Sequence, residues 1–293
     1  MPLIQPRGLV NAGNTCFMNV VFQSLLYCAP FYNALRQIRE KVAFSFNSRI
    51  PLVESLIMFL NEFPKCDTKE DPFDFDHTYD IEPFVPQFVY DALDRKKIFR
   101  TMKGSQEDAQ EFMGYLLDGI HEELMSAVIY TRAVPSDNVY TLHSAFEELV
   151  HKEILECYMG INGTKVDATK QLTLESVPQV LVLHLKRFIF CPEKGIQKIH
   201  KFVAYRESFE ISPQWVSRLD QHKIRNAKYE LKTVIYHHGE SAGGGHYTCD
   251  ISRAPGEWVR FDDVDIDYLE SEASVLCEKD DRHAYILFYQ RVD

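Results

Sequence analysis

Apolar residues recur at helical spacing in the first half of the chain and in short strand-like runs in the second half. The spacing predicts a helix over residues 16–27, a second that opens at Pro51, and a third that begins at Ser105. In the third, Ser105 and Asp108 form a capping-box pattern ahead of an apolar face. The acidic, proline-broken stretch 66–80 is expected to be a surface loop.

The second half of the chain predicts a β-sheet. Residues 180–190, VLVLHLKRFIF, form a nearly continuous apolar run that is typical of a strand covered on both faces. Further β-rich runs follow, separated by Gly, Pro or charged clusters: YELKTVIYHHG, HYTCDI, EWVRF and HAYILFYQRV. Helices first and strands afterwards are typical of an α+β protein with an antiparallel sheet.

Composition narrows the class of protein and its partners. The 293 residues are 45% hydrophobic and 13% aromatic, as in a folded globular protein. A formal net charge of −11 argues against nucleic acid and anionic membranes as partners, and it is compatible with a basic protein partner. No apolar run reaches the length of a membrane span.

The seven cysteines are dispersed along the chain. Their odd number and wide spacing favour reduced thiols over a disulfide framework. No paired-cysteine or H-E-x-x-H motif occurs, so no metal and no other cofactor is expected. Since the first residues show no signal-peptide pattern either, we expect a protein of the cytoplasm or the nucleus.

Cys16 stands where a turn rich in glycine and asparagine becomes the first helix, in GLVNAGNTCFMNVVFQSLLY. The dipole and the unpaired N–H groups of that helix favour the thiolate, which is the nucleophilic form of cysteine. A buried structural cysteine is the competing interpretation. Asn11 precedes Cys16 by five residues, and its amide together with a backbone N–H would form an oxyanion hole.

A nucleophilic cysteine needs a base and a group that orients the base. Among eleven histidines, His246 has the most unusual setting, since it follows three glycines and begins a strand in SAGGGHYTCDI. Asp262 and Asp263 end the run WVRFDD and are both candidates for the orienting acid. The ordered set of cysteine, histidine and aspartate predicts a nucleophilic hydrolase site.

Together these stretches resemble the ubiquitin-specific proteases, a family of cysteine deubiquitinases. GLVNAGNTCFMNVVFQSL resembles the cysteine box of the family, and SQEDAQEFMGYLLDGIHEEL resembles a helix of its thumb subdomain. LVLHLKRF, YELKTVIYHHGESAGGGHYTCDI, WVRFDD and AYILFY resemble parts of its histidine box. The motifs occur in family order from Gly8 to Tyr289, and PRGLVNAGN, VIYHHGESAGGGHYT and YQRVD indicate one subfamily in particular.

The resemblance implies a papain-like cysteine protease fold in one catalytic domain, 1–293. A helical thumb would span about 8–125, a fingers subdomain about 126–178, and an antiparallel β palm about 179–293. The fingers stretch is shortened and contains a single cysteine, Cys157. The four-cysteine zinc site that is common in the family is therefore not expected here.

By position in the motifs, the resemblance assigns a role to each candidate catalytic residue. Cys16 matches the nucleophile and His246 the general base and acid. Asp262 matches the acid that orients the histidine, with Asp263 as a weaker candidate, and Asn11 matches the oxyanion residue. The implied reaction is hydrolysis of an isopeptide or peptide bond at the C-terminal glycine of ubiquitin, with ubiquitinated proteins as substrates.

Contacts with the substrate are implied as well. Asp108 matches an acid that grips the arginine-bearing tail of ubiquitin, and Tyr247 matches a residue that lines the tail channel. Gly244 and Gly245 belong to a blocking loop, 243–245, that moves when ubiquitin enters. Two alternatives stay open: a catalytically weak or inactive ubiquitin-binding scaffold of the same fold, and a cysteine hydrolase for another ubiquitin-like modifier or peptide.

Overall fold

A helical half is followed by a β-rich half, as the apolar pattern predicts. The computed structural model describes residues 4–39, 50–64, 81–96, 106–124, 130–133, 140–159, 164–174, 177–217, 227–241, 244–277 and 282–292. Within these residues the helices are α1 (Cys16–Leu26), α2 (Ala29–Arg39), α3 (Pro51–Asn61), α4 (Gln87–Lys96), α5 (Ala109–Leu124), α6 (Leu142–Leu149) and α7 (Ala273–Leu276). None of these described helices has the length and apolarity that a membrane crossing requires.

The described strands form one large sheet and two hairpins. They are β1 (Tyr130–Ala133), β2 (Glu153–Met159), β3 (Lys165–Lys170), β4 (Val180–Leu185), β5 (Phe188–Cys191), β6 (Gly195–Lys198), β7 (Ser208–Glu210), β8 (Lys228–Ser241), β9 (Gly244–Ala254), β10 (Glu257–Asp262), β11 (Asp265–Leu269) and β12 (His283–Arg291). The sheet order is β1-β4-β12-β8-β9-β10-β11, with β7 beside β8. Its pairs are antiparallel except for β1 with β4. The predicted α+β class with an antiparallel sheet is confirmed.

The helices α2 to α5 share one core with α1, whose eleven residues are all buried. Phe17 and Phe22 of α1 both meet Phe112 of α5 edge to face, with ring centroids 5.5 and 5.6 Å apart. The predicted helix that opens at Pro51 is α3. The first turn of α3 donates two backbone N–H bonds to the Glu123 carboxylate of α5. This packing fixes α1, and with it Cys16, against the other helices.

The predicted start of the third helix is wrong by four residues. The helix α5 begins at Ala109, and the Asp108 carboxylate accepts backbone N–H bonds of 2.8 and 3.2 Å from its first turn. Asp108 is therefore the capping residue. The capping-box pattern placed Asp108 inside the helix, whereas Asp108 directly precedes it. Ser105 and the predicted loop 66–80 lie outside the described residues.

The predicted strand over 180–190 is wrong in its second half. The strand β4 ends at Leu185, and β5 begins at Phe188 in a separate hairpin. Between them the buried Arg187 guanidinium donates to three backbone carbonyls, at 2.6, 3.0 and 2.8 Å. A buried guanidinium needs such acceptors, so the chain bends where they converge.

The stretch predicted as reduced fingers contains β1, α6 and the two-stranded hairpin of β2 and β3. The strand β2 carries exposed apolar side chains, since Ile154 is 68% exposed and Met159 is 61% exposed. Cys157 is exposed and lies at a register shift in β2, with a positive φ of 55°.

A buried ion cluster joins the strands that carry the candidate site. The fully buried Asp250 carboxylate of β9 accepts two bonds from Arg260 of β10, at 2.7 and 2.8 Å, and one from Arg282 at 2.9 Å. Asp250 and Arg260 are directly paired in the sheet. Asp250 lies four positions after His246 on β9, and Arg260 lies two positions before Asp262 on β10. The cluster therefore fixes the register of these two strands.

We expect Asp250→Asn to lower the free energy of unfolding by about 3 kcal/mol, because it removes the charge that compensates two largely buried guanidinium groups. Urea unfolding followed by circular dichroism measures this. The control is Glu230→Gln, which breaks a half-exposed bond of 3.1 Å to Lys232 and should cost less than about 1 kcal/mol. Equal effects of the two substitutions would contradict a stabilising role for the cluster.

Candidate active site

Cys16 is the first residue of α1, after a turn held by its own side chains. The side-chain oxygen of Asn11 (Oδ1) accepts from the Thr15 backbone N–H at 2.9 Å, and the Thr15 hydroxyl accepts from the Ala12 N–H at 3.0 Å. Gly13 has a φ of 103° and Asn14 a φ of 60°. These are the residue types that tolerate such backbone angles, which explains the composition of the turn.

The Cys16 side chain is buried, with 2% exposure, as a structural cysteine would be. It also interacts with His246, since Cys16 influences the imidazole through hydrogen bonding and charge. The hydrogen bond with Cys16 is the largest influence on His246 and raises the pKa of its imidazole. Burial opposes this shift and the bond to Asp262 adds to it, so the pKa of His246 reaches about 9.

Asp262 is the acid that contacts the histidine. His246 lies near the start of β9 and Asp262 ends the neighbouring β10, so the sheet brings their side chains together. The distance from His246 Nε2 to Asp262 Oδ1 is 2.5 Å. Because Nε2 is engaged with Asp262, Nδ1 is the ring nitrogen that would exchange a proton with Cys16.

Asp263 does something different from what its place in the sequence suggested. It lies in the turn between β10 and β11 with a φ of 52°, and its carboxylate accepts from the Asn11 amide at 2.9 Å and the Asn19 amide at 2.7 Å. Its backbone carbonyl also accepts from the Leu9 N–H at 2.8 Å. Asp263 thus anchors the turn before Cys16 and the helix after it.

Asn11 is held from both ends of its side chain. The side-chain oxygen accepts from the Thr15 N–H within the turn, and the side-chain nitrogen donates to the Asp263 carboxylate. An amide nitrogen carries two N–H donors, and the bond to Asp263 uses one of them. The geometry therefore fixes the orientation of Asn11 and leaves it a second donor.

Sequence reasoning missed Asn19 and Gly8, which complete this arrangement. Asn19 is 2% exposed, one turn after Cys16, and a polar residue within the apolar first two turns of the helix is the signal that could have revealed it. A Cβ on Gly8 would lie 2.5 Å from the Val264 carbonyl oxygen. The turn after Asp263 can approach the N-terminal segment only because residue 8 has no side chain.

The structure brings Asp108 and Tyr247 to the start of α5. One Asp108 oxygen caps the helix and the other accepts from the Tyr285 hydroxyl, while the Tyr247 hydroxyl accepts from the Ala109 N–H at 3.4 Å. Burial, and next the Asp108 charge, raises the pKa of both Tyr247 and Tyr285 above the ordinary tyrosine value. Both phenols therefore stay neutral, and Tyr247 is almost fully buried.

Gly244 and Gly245 begin β9 directly before His246; Gly243 lies outside the described residues. Gly245 has a φ of 143°, and a Cβ there would clash with the His238 carbonyl oxygen. The Gln106 side chain makes two hydrogen bonds to the Gly245 backbone. Gln106 is a further residue that sequence reasoning missed.

One group of three side chains among the described residues has the composition of a metal site. His246, Asp262 and Asp263 each offer a ligand atom, and these atoms lie within 4.8 Å of one another. The imidazole is already bonded to Asp262, and the Asp263 oxygens are bonded to Asn11 and Asn19. The three side chains therefore already have hydrogen-bond partners within the protein.

Solved structures resemble this fold across nearly the whole chain. A chain of the SAGA Ubp8/Sgf11/Sus1/Sgf73 DUB module bound to ubiquitin aldehyde matches with a TM-score of 0.77 and 20% identity, covering 98% of this chain and 70% of that one. A chain of the Ubp8-Sgf11-Sgf73-Sus1 SAGA DUB module matches with a TM-score of 0.72 and 19% identity, covering 98% and 68%. These likenesses confirm the predicted papain-like fold.

Curated relatives share the sequence. Probable ubiquitin carboxyl-terminal hydrolase 3 of Schizosaccharomyces pombe is 31% identical over 390 aligned residues, covering 98% of this chain and 74% of the relative. Ubiquitin carboxyl-terminal hydrolase 10 of Rattus norvegicus, of the subfamily that the three stretches indicated, is 29% identical over 389 residues, covering 99% of this chain. This chain spans 48% of that relative, about half of its length.

The family described as "Ubiquitin carboxyl-terminal hydrolase" matches residues 7–289, which include every candidate site residue. The sequence and the fold agree with this match. So does the position of His246, which interacts with both Cys16 and Asp262. The chain therefore belongs to the ubiquitin carboxyl-terminal hydrolase family, a family of thiol-dependent hydrolases.

Proposed function

We propose that this protein is a deubiquitinating cysteine protease that hydrolyses isopeptide or peptide bonds at the C-terminal glycine of ubiquitin. The observation that carries the proposal is that His246 contacts both Cys16 and Asp262 within the fold of this family. Ubiquitin as the substrate is supported by the names of the curated relatives and by the ubiquitin aldehyde in the matching SAGA module.

In the proposed mechanism the Cys16 thiolate attacks the carbonyl carbon of the glycine. The carbonyl oxygen becomes an oxyanion, stabilised by the second amide N–H of Asn11 and by a backbone N–H at the start of α1; one such donor is worth on the order of 3 kcal/mol. His246 gives its proton to the leaving amine, the C–N bond breaks and a thioester forms. Water then attacks the thioester, His246 takes a proton from it, and the carboxylate product and Cys16 are released.

Asp262 orients His246 and stabilises its protonated form through the bond of 2.5 Å. Asp263 supports the oxyanion hole, since it holds Asn11 in place. In this assignment the two adjacent acids have different tasks. Asp262 serves proton transfer, and Asp263 serves the geometry of charge stabilisation.

The start of α5 is the proposed contact for the arginine-bearing tail of ubiquitin. Asp108 is partly exposed there, and a carboxylate has further acceptor positions beyond those its present partners use. The net charge of −11 would attract the basic tail and speed encounter, an effect that salt weakens. A glycine-glycine end would fit a channel bordered by Tyr247 and the glycines 244–245.

The cellular setting is also a proposal. All six described cysteines are free thiols, which is compatible with the reducing cytoplasm or nucleus. The net charge of −11 is compatible with a basic protein partner, which would supply contacts with the substrate beyond those of the catalytic domain.

The second candidate function is a ubiquitin-binding scaffold with little or no activity. The reduced fingers favour it, since the hairpin of β2 and β3 offers little surface to hold a globular substrate. A ubiquitin-derived electrophile separates the two functions: an enzyme forms a covalent adduct at Cys16, and an inactive scaffold does not. A hydrolase for another modifier would react with the probe derived from that modifier instead.

Cys16→Ala and His246→Ala should each lower kcat on a ubiquitin–fluorophore conjugate by about 10⁴-fold or more, because each removes a member of a unit that acts together. The unfolding temperature should stay near that of the parent protein. A cysteine substitution elsewhere, Cys277→Ala, is the control, since Cys277 is exposed and outside the site. Normal turnover by Cys16→Ala would disprove the assigned nucleophile.

The basic limb of the kcat/KM profile should lie near pH 9, because His246 has a pKa of about 9 and must be protonated to donate to the leaving amine. Asp262→Asn removes an interaction that raises this pKa, so the limb should move to lower pH. Asp267→Asn, which changes an exposed acid of the neighbouring β11, should leave it in place. A limb at the same pH in parent and Asp262→Asn would show that another group sets it.

The effect of the reduced fingers should be a higher KM with little change in kcat, because contacts remote from the reacting bond bind substrate and transition state alike. We expect Cys16→Ala to bind ubiquitin with a Kd above about 1 μM, measured by calorimetry. A fluorogenic peptide of the ubiquitin tail, which lacks the globular body, should therefore lose little kcat/KM relative to the ubiquitin conjugate. Sub-micromolar binding would contradict a weak grip.

A further inference from the structure

We infer that Gln106 is a positioning residue, whose side-chain amide holds the Gly245 backbone so that His246, the next residue, keeps its place between Cys16 and Asp262. The inference rests on the proposed function, in which His246 is the general base and acid. It adds a residue that lies outside the triad and outside the oxyanion turn.

The contact uses both polar atoms of the Gln106 amide on a single residue. Nε2 donates to the Gly245 carbonyl oxygen at 2.6 Å, and Oε1 accepts from the Gly245 N–H. A neighbouring β-strand would satisfy a backbone in the same way. The two residues lie 139 positions apart, so the contact joins the segment before α5 to the beginning of β9.

The sheet leaves a gap that Gln106 fills. The pairing of β8 with β9 shifts register between His238 and Ser241, next to Gly245. A backbone without regular partners, at a residue without a side chain, has more freedom than any other position in a strand. Gln106 supplies the two hydrogen bonds where the ladder is interrupted.

The opposite side of Gly245 is closely packed. A Cβ on Gly245 would clash with the His238 carbonyl oxygen and lie 2.8 Å from His237 Nε2, and a Cβ on Gly239 would lie 3.2 Å from the Gly245 Cα. The Gly245 backbone is thus held between the end of β8 and the Gln106 amide. Movement of either side would displace His246 directly.

Gln106 can hold Gly245 because its own segment is anchored. Asp108, two residues later, caps α5 and accepts from the Tyr285 hydroxyl of β12. The helix α5 in turn packs against α1 through Phe112 and Phe17. A continuous set of contacts therefore joins the helix that carries the nucleophile to the strand that carries the base.

Gln106→Met tests the inference, because methionine has a similar length and neither hydrogen-bonding group. Turnover of the ubiquitin–fluorophore conjugate gives kcat and KM. The rate at which iodoacetamide labels Cys16 at about pH 6.5 without ubiquitin, followed by mass spectrometry, reports the pairing of Cys16 with His246. The matched control is Gln171→Met, since Gln171 donates to the Val150 carbonyl oxygen at 2.9 Å, away from the site.

We expect Gln106→Met to lower kcat by up to about 100-fold with KM within about twofold, because a small misplacement of a catalytic group costs rate rather than binding. Labelling of Cys16 should slow in parallel, and the unfolding temperature should stay close to that of the parent. Gln106→Glu places a carboxylate oxygen against the Gly245 carbonyl oxygen in place of the donor, so it should lose activity as well. Gln171→Met should change none of these quantities.

Unchanged kcat and labelling in Gln106→Met would overturn the inference. An increase in kcat/KM would also overturn it, since Gln106 would then be a latch that substrate must displace, and a rise in KM alone would make it a substrate contact. If the parent protein fails to turn over the conjugate while labelling still slows in Gln106→Met, the positioning role stands and the proposed substrate fails.

Discussion

The site depends on one imidazole that two distant parts of the chain must reach at once. His246 lies 2.5 Å from Asp262, while its bond with Cys16 comes from the first residue of a helix more than two hundred positions earlier. Each partner is fixed by contacts of its own: the Asp250 cluster joins β9 to β10, and the bond of Asp263 to Asn19 joins the β10–β11 turn to α1. A polar network of this kind is useful only when every member is satisfied, because an unpaired buried group costs more than a made bond contributes.

The adjacent acids show how a change of backbone direction divides two roles. Asp262 still belongs to the strand, so its side chain lies on the sheet face that carries His246. Asp263 is the first residue of the turn and has a φ of 52°, which sends its carboxylate towards Asn11 and Asn19 instead. Two identical side chains on neighbouring residues therefore have different partners, the His246 imidazole for Asp262 and the amides of Asn11 and Asn19 for Asp263.

Sequence reasoning succeeded where the cause is local. The helix from Cys16, the helix from Pro51 and the strands around His246 follow from periodicity and from prolines and glycines, and the unusual settings of Cys16 and His246 were visible in single short stretches. It failed where the cause lies far along the chain. The bend at Arg187 is set by three carbonyl groups from other segments, and the bonds of Gln106 to Gly245 cross 139 residues. The contact of Asp108, the residue before α5, with Tyr285 crosses 177 residues, and no local pattern contains it.

The two faces of the sheet belong to two separate hydrophobic cores. Side chains alternate along β12, so that Ile286 and Phe288 belong to the core shared with the helices, while Leu287 and Tyr289 belong to a second core beneath α6. The first core contains α1, α5 and the strands around His246, and the second contains Phe146, Leu174 and Trp215, at the base of the fingers stretch. The alignment with the Schizosaccharomyces pombe relative runs over 390 positions although this chain has 293 residues, so that relative carries insertions that this chain lacks. The sheet is the layer that divides the core behind Cys16 from the core beneath α6.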